Sequence, residues 1–124
     1  MAGAERPYYL VDAVTLDSNG AGTLELPVGA SEEFKGKKLF FYASAGTFRI
    51  TRIENRGGVP FTNADTTNYI HSDLFLTTLS QRTYIGEFTI DINIPANDAI
   101  KITLASGTAS AVIFVIIQGT MRTL

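Results

Sequence analysis

Side chains able to hold a metal, shuttle a proton or act as a nucleophile are few in this chain. Its single histidine, His71, stands beside Ser72 and Asp73. A catalytic triad needs these residue types to converge in space, and neighbours along an extended chain point to opposite sides, so adjacency alone makes no triad. One histidine and no cysteine leave a zinc or other transition-metal site short of donors and remove thiol chemistry. Asp17-Ser18-Asn19-Gly20 resembles the opening of a calcium loop, and Gly22 falls at its sixth position. The twelfth residue, however, is Val28, where such a loop places a bidentate glutamate. These residues read instead as a turn. Asp91, Asn93, Asn97 and Asp98 are oxygen donors, yet the first two are the polar face of a strand. Glycoside hydrolysis needs two carboxylates across a cleft, and no spacing singles out a pair among the twelve Asp and Glu residues. No phosphate-binding loop, dinucleotide fingerprint or nucleophile elbow occurs. No catalytic, cofactor-binding or metal residue is therefore assigned, no cofactor is expected, and the chain reads as a non-enzyme.

Composition narrows the partners. The chain has 124 residues, 45% hydrophobic and 18% charged, with a formal net charge of −2. That length suits one domain, read as residues 7–124 behind a short arm at 1–6. Without a basic excess there is no electrostatic footprint for nucleic acid. No apolar run approaches the ~20 residues of a membrane-spanning helix. The amino terminus, MAGAERPYYL, carries Glu5 and lacks the apolar stretch of a signal peptide, so synthesis and folding in a cytoplasm are expected. A low charge fraction leaves less solvated surface and favours contacts between subunits.

The elements that would position any site are strands. Residues 8–16 (YYLVDAVTL) and 23–28 (TLELPV) flank turn chemistry at 17–22, and the two are expected to form a hairpin. Pro27 has no amide donor, so the second strand should end there or lie at an edge. Residues 31–36 (SEEFKG) suit either one helical turn capped by Ser31 or a plain loop. Residues 37–44 and 47–54 follow as strands. In the second of these, Phe48 and Ile50 share a face that Ile53 misses, and a β-bulge near Thr51 would return Ile53 to the core and turn Arg52 outward. Residues 57–68 (GVPFTNADTTN after Gly57) are the longest stretch without periodicity, and long ordered loops often carry contacts. Residues 69–79 suit a short helix capped by Ser72 or a strand over 73–78. Residues 82–94 alternate cleanly, with Phe88, Ile90, Ile92 and Ile94 inward, and 100–104 return after a turn at 95–98.

The last strand constrains the rest. Residues 111–117 (AVIFVII) are all apolar, and five of the seven are β-branched. Ala111, Ile113, Val115 and Ile117 point one way, Val112, Phe114 and Ile116 the other. A half-solvated strand would alternate with polar residues. This one does not, so both faces should be covered, one by the core and one by a second layer or a second molecule. The pattern as a whole, about eight short strands with Gly, Asn, Asp and Pro turns and almost no helix, predicts an all-β antiparallel sandwich of jelly-roll or other Greek-key topology.

Candidate contact residues follow from that picture. Tyr8, Tyr9, Phe40 and Tyr42, with Ile113, Val115 and Ile117, are read as core or interface filling and form the candidate oligomer or partner interface. Arg49, Arg52 and Arg56 cluster around one strand, with Glu54 among them. They read as a solvated strand face or as a small docking patch for an acidic partner. Without tryptophan, a sugar-stacking platform is weakened.

The unsignalled arm (MAGAERP), the turns LDSNGAG and NRGGVPFTNADTTN, and the apolar strand AVIFVIIQG together resemble the small single-domain structural proteins of tailed-phage virions, of the head decoration or cement type. The resemblance implies a cysteine-free β-sandwich or jelly roll, a homo-oligomer with a trimer favoured, and a partner in the major capsid protein or another virion surface. Its implied location is the virion. The alternative reading is a carbohydrate- or receptor-binding module of tail-fibre-tip or adhesin type, using the 57–68 loop or the turns at 17–22 and 95–98.

Overall fold

The computed structural model describes residues 3–72 and 87–124. Among the described residues there are eight strands: β1 (Arg6–Thr15), β2 (Gly22–Pro27), β3 (Glu32–Ala43), β4 (Arg49–Asn55), β5 (Ile70–His71), β6 (Glu87–Ile94), β7 (Ala99–Ala105) and β8 (Val112–Thr123). They form two four-stranded sheets in the orders β1-β8-β3-β6 and β2-β7-β4-β5, with antiparallel pairing throughout. Apart from β4 and β5, strands that follow one another in chain order belong to different sheets. This interleaving is the jelly-roll arrangement, and it agrees with the all-β sandwich expected from the sequence. The expected helix or strand over 73–79 and the first residues of the expected strand at 82–94 lie outside the described residues.

The core fills the space between the sheets. From one side come Leu39, Phe41, Ile113, Val115 and Ile117, and from the other Leu24, Leu26, Ile50, Ile100, Ile102 and Leu104, all buried. Phe41 and Phe48 meet across it, with ring centroids 5.4 Å apart and a tilted geometry of the kind aromatic quadrupoles favour.

Local rules hold in several places. β2 ends at Pro27 and is an edge strand, as a residue without an amide donor requires. In β4 the register against β7 shifts between Ile50 and Arg52. Thr51 turns inward, where its hydroxyl lies 3.4 Å from the Thr103 carbonyl oxygen. Ile53 thereby enters the core and Arg52 faces out. A second shift, between Gly36 and Lys38 of β3, affects both of that strand's neighbours.

Three expectations are corrected. β1 and β2 are not a hairpin. β1 pairs with β8 over its whole length and β2 with β7, so the 17–22 turn is a corner between sheets. Asp17 Oδ1 accepts the Asn19 and Ala21 amides at 2.8 and 3.0 Å. Gly20, at φ +74°, lies so close to the Gly107 backbone that a Cβ could not fit. Residues 32–36 are neither helix nor loop. They extend β3, because Glu32, Glu33 and Phe34 pair with the far end of β8. The arm is tied down as well: Arg6 opens β1, the Gly3 amide donates to the Thr123 carbonyl at 2.6 Å, and Glu5 contacts Lys35 at 3.1 Å.

Candidate interaction face

The outer face of the β1-β8-β3-β6 sheet is the candidate site, and its composition follows from strand parity. β8 lies inside this sheet with β1 on one side and β3 on the other. Its residues Ile113, Val115 and Ile117 point into the sandwich, so Phe114 and Ile116 must point outward. Register then fixes their neighbours. Ile116 lies between Val11 of β1 and Phe40 of β3, and Phe114 between Ala13 and Tyr42. Phe114 and Tyr42 place their rings 5.9 Å apart. Two adjacent cross-strand rows, three strands wide, are thus apolar on a face that meets solvent. Val11 is 65% exposed, Tyr42 45%, Phe114 42% and Ile116 39%. A shallow groove among them is lined by Val11, Asp12, Ala13, Tyr42, Phe114, Val115 and Ile116.

The other end of the same face is polar. Lys38 is level with Gln118, Lys35 with Thr120, and Glu33 with Arg122. Arg122 pairs with Glu33, and the Lys35 ammonium holds the Glu5 carboxyl below its ordinary range, first by hydrogen bonding and then by charge. The outward residues of β6, Thr89, Asp91 and Asn93, are polar and exposed. The apolar area is therefore off centre along the strands. Asp12, on edge strand β1, also lines the groove; its carboxylate accepts the Glu25 amide of the second sheet at 2.9 Å, and a charge on an edge strand discourages further strand addition. By register Glu87 of β6 stands opposite Phe40, in the Ile116 row.

The sequence-derived interface set divides between two environments. Tyr9 and Tyr42 are exposed and Phe40 is half-buried. Tyr8 lies edge-on to Phe34 at 6.4 Å beneath the Arg6 guanidinium. Ile113, Val115 and Ile117 are corrected to core residues, each 1% exposed or less. Of the two covers expected for the outer face of this strand, a second layer of the same chain is not the one found: within one chain only the inner face is covered. The residues missed are Val11, Ala13, Phe114 and Ile116. Their signal lay in the sequence as apolar residues at outward positions of three strands, but only the pairing shows that those positions adjoin.

The arginine cluster is engaged within the chain. Arg49 stacks on Tyr69, its guanidinium 4.2 Å from the ring centroid. Arg52 pairs with Glu54 and donates to the Gly58 carbonyl at 3.0 Å. Arg56 donates to the Asn97 carbonyl at 2.8 Å and lies 3.7 Å from Glu25. Each of the three arginines thus has a partner within the chain.

The chemical candidates find structural uses. Ser72 is fully buried, and its hydroxyl accepts the Phe48 amide at 3.1 Å. His71 sits in β5 opposite Arg49 and near the Tyr69 ring, and Asp73 lies outside the described residues. Asp98 accepts the Arg56 and Ala99 amides. Among the described residues no group of three His, Cys, Asp or Glu side chains could hold a metal. A cavity of about 280 Å3 beside β6 is lined mainly by apolar groups such as Leu39, Ile53, Phe61 and Ile92, with Asp91 as the carboxylate among its described lining residues.

No protein-family model matches the chain, and no curated protein shows significant sequence similarity to it.

Proposed function

We propose that this is a non-enzymatic structural protein that self-associates, working on a virion surface as a decoration or cement protein does and binding a capsid through its assembled form. The observation that carries the reading is the solvent-facing apolar area around Val11, Tyr42, Phe114 and Ile116. Monomeric proteins rarely leave more than a few hundred Å2 of contiguous apolar surface in water, and larger patches mark interaction sites. The jelly-roll topology supports the reading as well, since capsid domains use it, although lectin domains and cupins share it. The virion setting comes from the sequence resemblance.

The carbohydrate- or receptor-binding alternative draws less support. In the 57–68 loop the Asp65 carboxylate is occupied by the Thr67 and Asn68 amides, and the exposed residues mix apolar Val59 and Phe61 with polar Asn63, Thr66, Thr67 and Asn68.

Size-exclusion chromatography with light scattering on the purified chain tests self-association. A stable oligomer at micromolar concentration without ligand is expected, and a monomer across the whole concentration range overturns the reading. Co-sedimentation with shells of a capsid protein encoded beside this gene tests the setting.

A further inference from the structure

We propose that the outer face of the β1-β8-β3-β6 sheet is closed by the same face of a second copy, sheet on sheet, about a two-fold axis that crosses the strands near Val115 and reverses their direction. This rests on the self-association reading and adds the surface and the symmetry.

Area is the first argument. Aromatic side chains carry about 150–250 Å2 each. With the exposed fractions at Tyr9, Val11, Tyr42, Phe114 and Ile116, the patch amounts to roughly 400 Å2 on that scale. Two copies bury about twice that, and a polar rim of ordinary width takes the total past the ~1,000 Å2 that a specific interface requires.

Chemistry excludes other occupants next. The one carboxylate among the groove's described lining residues, Asp12, is already engaged by the Glu25 amide, and Tyr9 and Tyr42 bring the patch's aromatic hydroxyls. What fits is a broad apolar surface, and packed sheets supply one, their faces about 10 Å apart.

Charge then selects the orientation. Lys35 and Lys38 stand at one end of the face and the apolar rows nearer the other. With an axis along the strands, each row would meet its own level and press the two polar ends together, taking their Glu5–Lys35 and Glu33–Arg122 pairs out of water at a desolvation cost. An axis across the strands lays the Ile116 row over the partner's Phe114 row and sends the lysine ends in opposite directions. A three-fold ring needs two different complementary patches on each chain. Among the described residues the other exposed apolar pair, Val59 and Phe61, is smaller and lies on a loop.

The test compares the full chain with Phe114→Asp and Ile116→Asp by light scattering, with circular dichroism to check folding. A dimeric parent and folded, monomeric variants are expected, with the dimer dissociation constant raised at least 100-fold. Val11→Lys, at the most exposed position of the patch and on an edge strand, serves if either variant fails to fold. A monomeric parent overturns both this proposal and the self-association reading. An oligomer that persists in the folded variants leaves self-association standing and overturns this face, and a trimer overturns the two-fold. Orientation is read from one nitroxide at Lys38→Cys, a unique site because the chain has no cysteine. Lys38 is level with Gln118, three positions from Val115. At ~3.4 Å per residue the reversed arrangement separates the two labelled positions by about 20 Å along the strands. A spacing near the ~10 Å gap between sheets overturns the reversed arrangement.

Discussion

At the scale of single residues, polar side chains in this protein mostly serve the backbone. Ser72, Asp17, Asp98 and Asp65 each accept amide protons that corners and loops would otherwise leave unpaired. Such pairing is what buried or tightly turned backbone demands. Asp65 allows a pH prediction. Its carboxylate accepts the Asn68 and Thr67 amides, and these bonds lower its pKa. A carboxyl held low in the folded chain stabilises the fold fully above the ordinary aspartate value of ~3.9, and that contribution is lost as pH falls through the lower, folded value. The Thr67 and Asn68 amide resonances should therefore shift together with a midpoint below ~3.9, and Asp65→Asn should abolish the step. A midpoint at or above that value would show that the turn is not held by the ionised carboxylate.

At the scale of elements, parity along β8 separates folding from association. Val115 is fully buried between the sheets, whereas its neighbour Ile116 is 39% exposed. An unpaired carboxylate forced into an apolar interior costs several kcal/mol at least, comparable to the ~5–15 kcal/mol total stability of a domain. Val115→Asp is expected to leave insoluble or unfolded protein, while the same change one residue later leaves the fold intact. Denaturant titration of the two variants checks this, and a cooperative, near-parental transition in Val115→Asp contradicts the burial. The bulge in β4 was legible by the same parity, because Ile53 fell out of step with Phe48 and Ile50. The extension of β3 to Glu32 was not, since Ser31-Glu32-Glu33 has the local signature of a helix start and only pairing with the end of β8 overrides it.

At the scale of the whole molecule, stability rests on one continuous apolar core with no disulfide. Corners are closed by backbone and side-chain hydrogen bonds, as at Gly20 and Gly107 or Thr47 and Thr108. The Asp17 loop that resembles a calcium site spends its carboxylate on its own amides. EDTA is accordingly expected to leave the thermal midpoint unchanged in a melting experiment. A clear drop would reveal a structural cation, because a ligand that binds only the folded state raises apparent stability with the logarithm of its concentration relative to Kd.

The all-β sandwich class, the bulge near Thr51 and the stop of β2 at Pro27 were determined by the sequence alone, because each is written in local alternation, in proline and in turn chemistry. Which strands pair was decided by the tertiary structure. Sheet order depends on contacts between residues as distant as Arg6 and Met121, and no local pattern encodes such partners. For the same reason the sequence could name the two faces of β8 but not assign them. A period of two is symmetric between the faces, and only packing against the second sheet turns Val115 inward and leaves Phe114 and Ile116 in water.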